Sequence, residues 1–127
     1  MSEYRPPVDE MLFILDSVAG LDAVAELPGC EMATSELARS VMDEAGELAS
    51  NVLAPLNAKG DQAGADVRDG QVHVPESFRQ AYEAFVEGGW GGISAPETYG
   101  GQGLPQVLSM PVQEMWQSAN LAWSLCP

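Results

Sequence analysis

Near the start of the chain, apolar residues recur at the spacing of an α-helix and predict an amphipathic helix over residues 7–25. Acidic residues separate the apolar ones, and Pro28 and Gly29 are expected to end the helix. The apolar positions are Val8, Met11, Leu12, Leu15, Val18 and Ala19.

A second amphipathic segment predicts a helix that starts near Thr34, a good N-cap, and closes at Pro55. One face of this helix carries Leu37, Val41, Ala45, Leu48 and Val52. Its small residues are expected to let another helix approach closely. These small residues are Ala38, Ala45, Gly46 and Ala49.

Residues 56–74 are rich in Gly, Asn and Asp and are predicted to form a loop. Within this loop, residues 67–72 indicate a short hairpin around the Asp69-Gly70 turn, which we expect to be an ornament rather than a sheet. His73, the one histidine, lies between two valines in the same segment. Because no partner is placed to orient it, a surface or edge position is favoured over catalysis.

The third predicted helix begins at Pro75 and is stopped by Gly88 and Gly89. Val74 stands where a hydroxyl residue would be expected to cap the helix, and the absence of that cap should cost about 1 kcal/mol. The core side of this helix is expected to carry Phe78, Tyr82, Phe85 and Val86.

From there to Gly103 the sequence contains too many glycines for a helix, and a fourth helix follows over residues 105–125. Pro111 lies inside that helix and predicts a kinked or irregular start. The apolar side carries Leu108, Val112, Met115, Trp116 and Ala119. The whole pattern predicts an all-α fold, a small bundle of about four helices with a short β-hairpin ornament.

The composition is that of one acidic globular domain. The 127 residues are 46% hydrophobic, which is enough for a core, and 19 acidic against 5 basic residues give a formal net charge of −14. Such a surface repels nucleic acid and anionic lipid, so neither is expected as a partner. No apolar run is long enough to span a bilayer, and the N-terminus does not read as a signal peptide.

The residue chemistry by itself indicates no active site. Cys30 and Cys126 form no CxxC motif and are interpreted as reduced, buried thiols of a cytoplasmic protein. The glycine-rich stretch completes neither GxGxxG nor a P-loop, so its glycines are interpreted as tight turns. Most carboxylates lie on polar helix faces, with Glu114 among apolar neighbours as a candidate structural acid, and no spacing suits a metal.

Residues 87–105 read EGGWGGISAPETYGGQGLP and resemble the junction that acyl-CoA dehydrogenases carry in their N-terminal domain before a long helix. Residues 4–7 (YRPP), 54–57 (APLN) and 114–120 (EMWQSAN) resemble one branch of that family. This branch has an extra N-terminal segment and includes 3-methylmercaptopropionyl-CoA and some fatty-acyl-CoA dehydrogenases.

The resemblance implies an extension helix over residues 1–30 and the family's N-terminal helical domain over residues 31–127. The flavin-binding β-domain and the C-terminal helical domain, with the FAD and the catalytic glutamate, would then be absent, so a truncated chain or a proteolytic remnant is expected. The full-length enzyme would dehydrogenate acyl-CoA thioesters in fatty acid metabolism, pass electrons to an electron-transferring flavoprotein and form a homo-oligomer. This chain alone is expected to be inactive and to bind no flavin.

By the same resemblance, the end of the last helix forms one wall of the acyl pocket. The candidate lining residues are Asn120, Trp123, Ser124 and Pro127. An alternative is that Trp123 is ordinary core or covers the missing β-domain. No catalytic, flavin-binding or metal-binding residue is expected in this chain.

Truncation is expected to expose an apolar face and to favour self-association. The residues expected on that face are Trp90, Ile93, Tyr99, Leu104 and Trp123. The competing hypothesis is a stand-alone acidic helical interaction module with no catalytic activity. It leaves the glycine-rich junction without an evident use.

Overall fold

A computed structural model of the chain describes residues 3–127 as helices with one short hairpin. The helices are α1 (Val8–Ile14), α2 (Leu21–Ala25), α3 (Ser35–Leu48), α4 (Ala54–Ala63), α5 (Glu76–Glu87), α6 (Gln106–Ala119) and α7 (Leu121–Ser124). The strands are β1 (Asp66–Arg68) and β2 (Gln71–His73). There are also π-helical segments at Leu15–Ala19 and Ala49–Leu53 and 3-10 turns at Trp90–Gly92 and Glu97–Tyr99. The prediction of a small helical bundle with a hairpin is confirmed.

The first predicted helix is interrupted at Gly20, which adopts a left-handed φ of 71° between the π-helical segment and α2. Glycine reaches this conformation without the steric cost of a β-carbon. Met11 and Leu15 are buried as predicted, whereas Val18 is 73% exposed. The wider i→i+5 turn of the π-helical segment rotates Val18 out of the buried face that Met11 and Leu15 share.

The second predicted helix begins as expected, because the Thr34 hydroxyl accepts a hydrogen bond from Leu37 N at 3.2 Å. It does not end at Pro55. The chain continues through the π-helical segment into α4, so the loop predicted from residue 56 begins only after Ala63. Pro55 lies in the first turn of α4, where a missing N–H is tolerated. No residue of α4 is fully buried, so the polar residues that suggested a loop belong to an exposed helix.

The core is centred on the packing of α3 against α6. On α3 the buried stripe consists of Ala38, Met42, Ala45 and Gly46. Leu37, Val41, Leu48 and Val52, predicted as the core face, are only partly buried and pack against the core from the side. A close approach does occur at Gly46, where a β-carbon would lie 2.9 Å from Pro6 Cγ, but it is not the approach of another helix that was predicted. The approaching element is the segment before α1 rather than a helix.

The N-terminal segment and the rest of the bundle form one packed unit, since α1 packs against α3. The division after residue 30 stays a prediction. Between residues 3 and 127, no helix combines the length and the apolar character that a bilayer crossing requires.

The predicted hairpin is confirmed, with Asp69 at φ 52° and Gly70 at φ 76° in its turn and with all residues of both strands exposed. α5 follows with Pro75, not Val74, as its N-cap residue, so the capping position differs by one residue from the prediction.

α5 contacts the bundle through a narrow stripe formed by Ala81 and Phe85, with Phe78 partly buried. Tyr82 and Val86 are 51% and 54% exposed, so their predicted core positions are wrong. Residues four apart lie on one side of a helix, and the stripe that contains the small Ala81 is the one that faces the core.

α6 carries the predicted buried residues, namely Leu108, Val112, Met115, Trp116 and Ala119. The helix runs uninterrupted through Pro111, which is itself buried, so the predicted irregular start is wrong. Apolar contact of the buried ring offsets the backbone hydrogen bond that proline cannot make. The break falls later, at Asn120, whose extended backbone (φ −158°, ψ 87°) separates α6 from α7.

Two predictions about exposure are wrong. Five residues were expected on an exposed apolar face. Ile93, Leu104 and Trp123 are buried and Trp90 is partly buried, so that of the five only Tyr99, at 86%, is fully exposed. Both cysteines are free, but Cys30 is half-buried and Cys126 is exposed, so they are not two buried thiols.

Candidate functional site

The junction, residues 88–105, is held together by its own backbone. Gln102 N donates to Gly92 O at 2.9 Å, Gly103 N donates to Ala95 O at 2.9 Å, and Leu104 N donates to Ile93 O at 3.0 Å. Gly89, Gly100 and Gly103 have positive φ values, which confirms the interpretation of the glycines as tight turns. Because these amides already bond to carbonyl groups of the same loop, they do not form a cradle for a phosphate.

Four aromatic rings, one of them Trp90 of the junction itself, pack edge to face. The Phe85 ring centroid lies 5.3 Å from that of Trp116 and 5.7 Å from that of Trp123, with interplanar angles of 73° in both pairs. Trp90 packs against Trp116 at 5.3 Å and 87°. Edge-to-face geometry brings the positive edge of one ring to the negative face of the next, and it fixes the orientation of this cluster.

Between the junction and the C-terminal turn, residues 121–127, lies a cleft of about 400 Å³ that we call the junction cleft. This volume falls in the range of small-molecule sites. Its lining residues are Phe85, Trp90, Gly91, Ile93, Ser94, Ala95, Gln106, Ser109, Val112, Gln113, Trp116, Gln117, Trp123, Ser124, Leu125, Cys126 and Pro127.

On the other side of the C-terminal turn lies a larger and more open cavity of about 930 Å³, which we call the hairpin groove. Its lining residues are Asn57, Ala58, Gly60, Asp61, Gly64, Ala65, Val74, Pro75, Phe78, Arg79, Tyr82, Ala122, Trp123, Cys126 and Pro127. Trp123, Cys126 and Pro127 line both cavities, so the C-terminal turn separates them.

Three of the four candidate pocket residues come together at the junction cleft. Trp123 is 4% exposed, and its indole N–H donates to Phe78 O at 3.1 Å. Ser124 lines the cleft, and its hydroxyl donates to Asn120 O at 2.8 Å. Pro127 is exposed at the rim of both cavities.

Asn120, the fourth candidate, lines neither cavity and is 1% exposed. Its Nδ2 donates to Leu53 O at 3.1 Å, and its Oδ1 accepts from Trp123 N at 3.1 Å. Asn120 therefore lies behind the cleft wall and caps α7.

The sequence reasoning missed several polar residues of the cleft. Gln106, Gln113 and Gln117 line it from α6, and their spacing of seven and four residues places them on one side of that helix. The spacing of these three glutamines is the feature of the sequence from which their common position could have been predicted. Ser94 lines the cleft as well, and its hydroxyl is buried without a hydrogen-bond partner.

Charged groups of the described residues lie away from the junction cleft. Each of the four arginines forms an exposed ion pair with a carboxylate. The pairs are Arg5 with Glu3, Arg39 with Asp9, Arg68 with Asp66 and Arg79 with Glu76. His73 is exposed on β2, and within residues 3–127 no three His, Cys, Asp or Glu side chains are grouped as metal ligands would be.

One perturbed group links the N-terminal segment to α6. The hydroxyl of Tyr4 is buried. Burial raises the pKa of Tyr4, the Ser118 side chain opposes the rise as a hydrogen-bonding group, and the nearby Glu114 carboxylate adds to it. Glu114, the candidate structural acid, is exposed and acts on this phenol through its charge.

No family model matches the sequence. The chain is similar to the 3-methylmercaptopropionyl-CoA dehydrogenase of Ruegeria pomeroyi, with 33% identity over 124 residues that cover 98% of this chain and 21% of that protein. It is also similar to a broad-specificity linear acyl-CoA dehydrogenase of Mycobacterium tuberculosis, with 29% identity over 124 residues that cover 96% of this chain and 20% of that protein. The chain thus spans about a fifth of the length of these relatives.

Proposed function

We propose that this chain, whose resemblance to the N-terminal part of acyl-CoA dehydrogenases is confirmed by those two relatives, forms one wall of the acyl-binding site in a flavin-dependent enzyme. The proposal rests on where the cleft lies. The similarity runs along nearly the whole chain, and the cleft borders the junction, whose sequence resembles that of the family. The alignments extend to the C-terminal turn, since they cover 98% and 96% of the chain.

The chemistry of the junction cleft suits the uncharged part of an acyl thioester. Aromatic and aliphatic side chains supply apolar contact, and the glutamines of α6 with Ser94 and Ser124 supply neutral hydrogen-bonding groups. No lysine, arginine, aspartate or glutamate belongs to the lining. With a formal net charge of −14, this chain is poorly suited to hold the phosphates of CoA, so we assign those contacts to the remainder of the enzyme.

The residues of this chain do not fit a flavin site. The junction amides bond to their own loop, and the paired arginines leave no cluster of free guanidinium groups for a pyrophosphate. The proposal therefore assigns FAD and the catalytic glutamate to the other four-fifths of the enzyme. The contribution of this chain is to shape the site and exclude water from it.

For the whole enzyme we propose α,β-dehydrogenation of an acyl-CoA thioester, with an electron-transferring flavoprotein as electron acceptor and a homo-oligomeric assembly. An exposed free thiol at Cys126 suits a reducing compartment, which supports a cytoplasmic location. The isolated chain should be inactive.

The first experiment compares the product of the complete coding region with the 127-residue chain. Flavin absorbance and oxidation of acyl-CoA substrates are measured for both. A yellow, active longer protein beside a colourless, inactive chain supports the proposal. A natural product of 127 residues that is colourless and inert overturns it and leaves a stand-alone acidic interaction module.

The second experiment tests the wall itself in the longer protein. Trp123→Leu removes an aromatic ring from the boundary of the cleft, so kcat/KM should rise for long-chain relative to short-chain acyl-CoA. Val72→Thr, on the exposed strand β2, serves as the matched control and should leave the chain-length profile unchanged. A profile that does not change in the Trp123→Leu enzyme removes this chain from the acyl site.

A further inference from the structure

Trp123 separates two cavities, and hydrogen bonds of both its indole and its backbone N–H fix its position. The junction cleft and the hairpin groove, of about 400 and 930 Å³, meet at this residue. The indole ring is held between Phe78 O, which accepts its N–H, and the ring of Phe85, whose centroid lies 5.7 Å away. A small displacement of the ring would therefore enlarge one cavity at the expense of the other.

The backbone that carries Trp123 is anchored by Asn120. The side-chain Nδ2 of Asn120 donates to Leu53 O, where the π-helical segment meets α4, and Oδ1 accepts from Trp123 N. The buried side chain of Asn120 thus ties the start of α7 to the start of α4. The extended backbone of the same residue changes the direction of the chain after α6.

The neighbouring bonds add to the same anchor. Ser124 N and Ser124 Oγ both donate to Asn120 O, at 3.1 and 2.8 Å. Since Asn120 is 1% exposed and both of its side-chain hydrogen bonds are buried, a partner of that side chain left unsatisfied would be costly.

We infer that Asn120 is a positioning residue that fixes Trp123 as a rigid partition between the junction cleft and the hairpin groove. It acts through Trp123 and touches neither cavity. The consequence for acyl-chain length rests on the proposed function, whereas the control of Trp123 by Asn120 does not.

The test uses the isotope-labelled 127-residue chain and follows solvent exchange of the tryptophan indole N–H groups by NMR. In Asn120→Ala, exchange at the Trp123 indole should accelerate on the order of tenfold, as expected for release of about one buried hydrogen bond. The Trp116 indole, which donates to Ala45 O on the α3 side, is the internal reference and should change less than about twofold. Leu121→Ala, an exposed position on the same turn, should leave both unchanged.

Asn120→Asp keeps an acceptor for Trp123 N but loses the donor to Leu53 O, and it provides a second route if Asn120→Ala does not fold. A selective effect at Trp123 in either variant supports the inference. Equal acceleration at Trp116 and Trp123 shows a global loss of stability and overturns it, as does an unchanged Trp123 signal.

A further arm separates this inference from the proposed function. If the longer protein oxidises acyl-CoA, Asn120→Ala should change KM for long-chain substrates more than kcat, because the partition moves and the chemistry does not. If that protein is inactive, the proposed function fails while the exchange result still decides the role of Asn120.

Discussion

A β-carbon placed on Gly101 would lie 2.1 Å from the carbonyl oxygen of Ala95. Only hydrogen fits in that space, so glycine at this position is required by a backbone contact. The same contact brings Gly103 N within 2.9 Å of Ala95 O and Gly101 N within 3.2 Å of Pro96 O. The two halves of the junction are joined at this point.

Gly101→Ala should lower the free energy of unfolding by roughly 2–3 kcal/mol, because backbone atoms must move to admit the methyl group. Gly91→Ala is the matched control: its added β-carbon would first meet the Phe85 side chain at 3.3 Å, and side chains adjust more easily than backbone. Urea unfolding followed by circular dichroism gives both values. Equal losses in the two variants would contradict the backbone contact as the cause.

Met115→Ala should destabilise the chain by roughly 2–5 kcal/mol, because Met115 is 0% exposed and its removal leaves a cavity in the core. Met110 lies on the same helix and is 56% exposed, so Met110→Ala should change stability by less than about 0.5 kcal/mol. The difference between the two, measured by thermal or urea unfolding, tests which face of α6 is buried. A similar cost at both positions would mean that the helix is rotated from the orientation described.

Thr34→Ala should cost about 1 kcal/mol, because the Thr34 hydroxyl accepts the bond from Leu37 N that would otherwise be missing at the start of α3. Thr34→Ser keeps the oxygen and should retain most of the stability. Unfolding curves of the three proteins provide the measurement. If serine is as destabilising as alanine, the hydroxyl does not cap the helix.

Tyr4→Phe should remove a loss of stability at alkaline pH. Because burial raises the pKa of Tyr4 above the ordinary tyrosine value of 10.0, folding favours the protonated phenol. The resulting stability is present below pH 10.0 and is lost as the pH rises through the pKa of the folded state. Unfolding of the two proteins across this alkaline range, with tyrosinate absorbance as a second readout, should show a steeper decline in the wild type.

At neutral pH, where the phenol is protonated in both the folded and the unfolded chain, the two proteins should differ much less in stability than they do at alkaline pH. Parallel pH profiles of the two proteins would show that Tyr4 does not titrate differently on folding.

The sequence predicted the elements with strong periodicity well. The buried side of α6, the N-cap of α3 and the Asp69-Gly70 hairpin follow from local patterns and are all present. The errors fall where local signals conflict with context. Pro55 in the first turn of a helix and Pro111 with its ring in the core are both compatible with helical structure, although each suggested an interruption.

For the candidate site, the sequence identified the correct part of the chain but not each residue's role. Ser124, Trp123 and Pro127 do line the junction cleft, whereas Asn120 lies behind it. A buried asparagine and a lining asparagine have the same sequence pattern. The partners that distinguish them, Leu53 O and Trp123 N, include one that is 67 residues away along the chain.

The helical class, the hairpin, the acidic charge and the resemblance to acyl-CoA dehydrogenases could all be predicted without a structure, because each depends on local spacing, on composition or on a contiguous motif. Three features became visible only in the folded chain: Ala95 excludes a side chain at Gly101, Tyr82 is exposed while Ala81 is buried, and Trp123 separates two cavities. These features arise from contacts between elements, whose distances and rotations are set by packing.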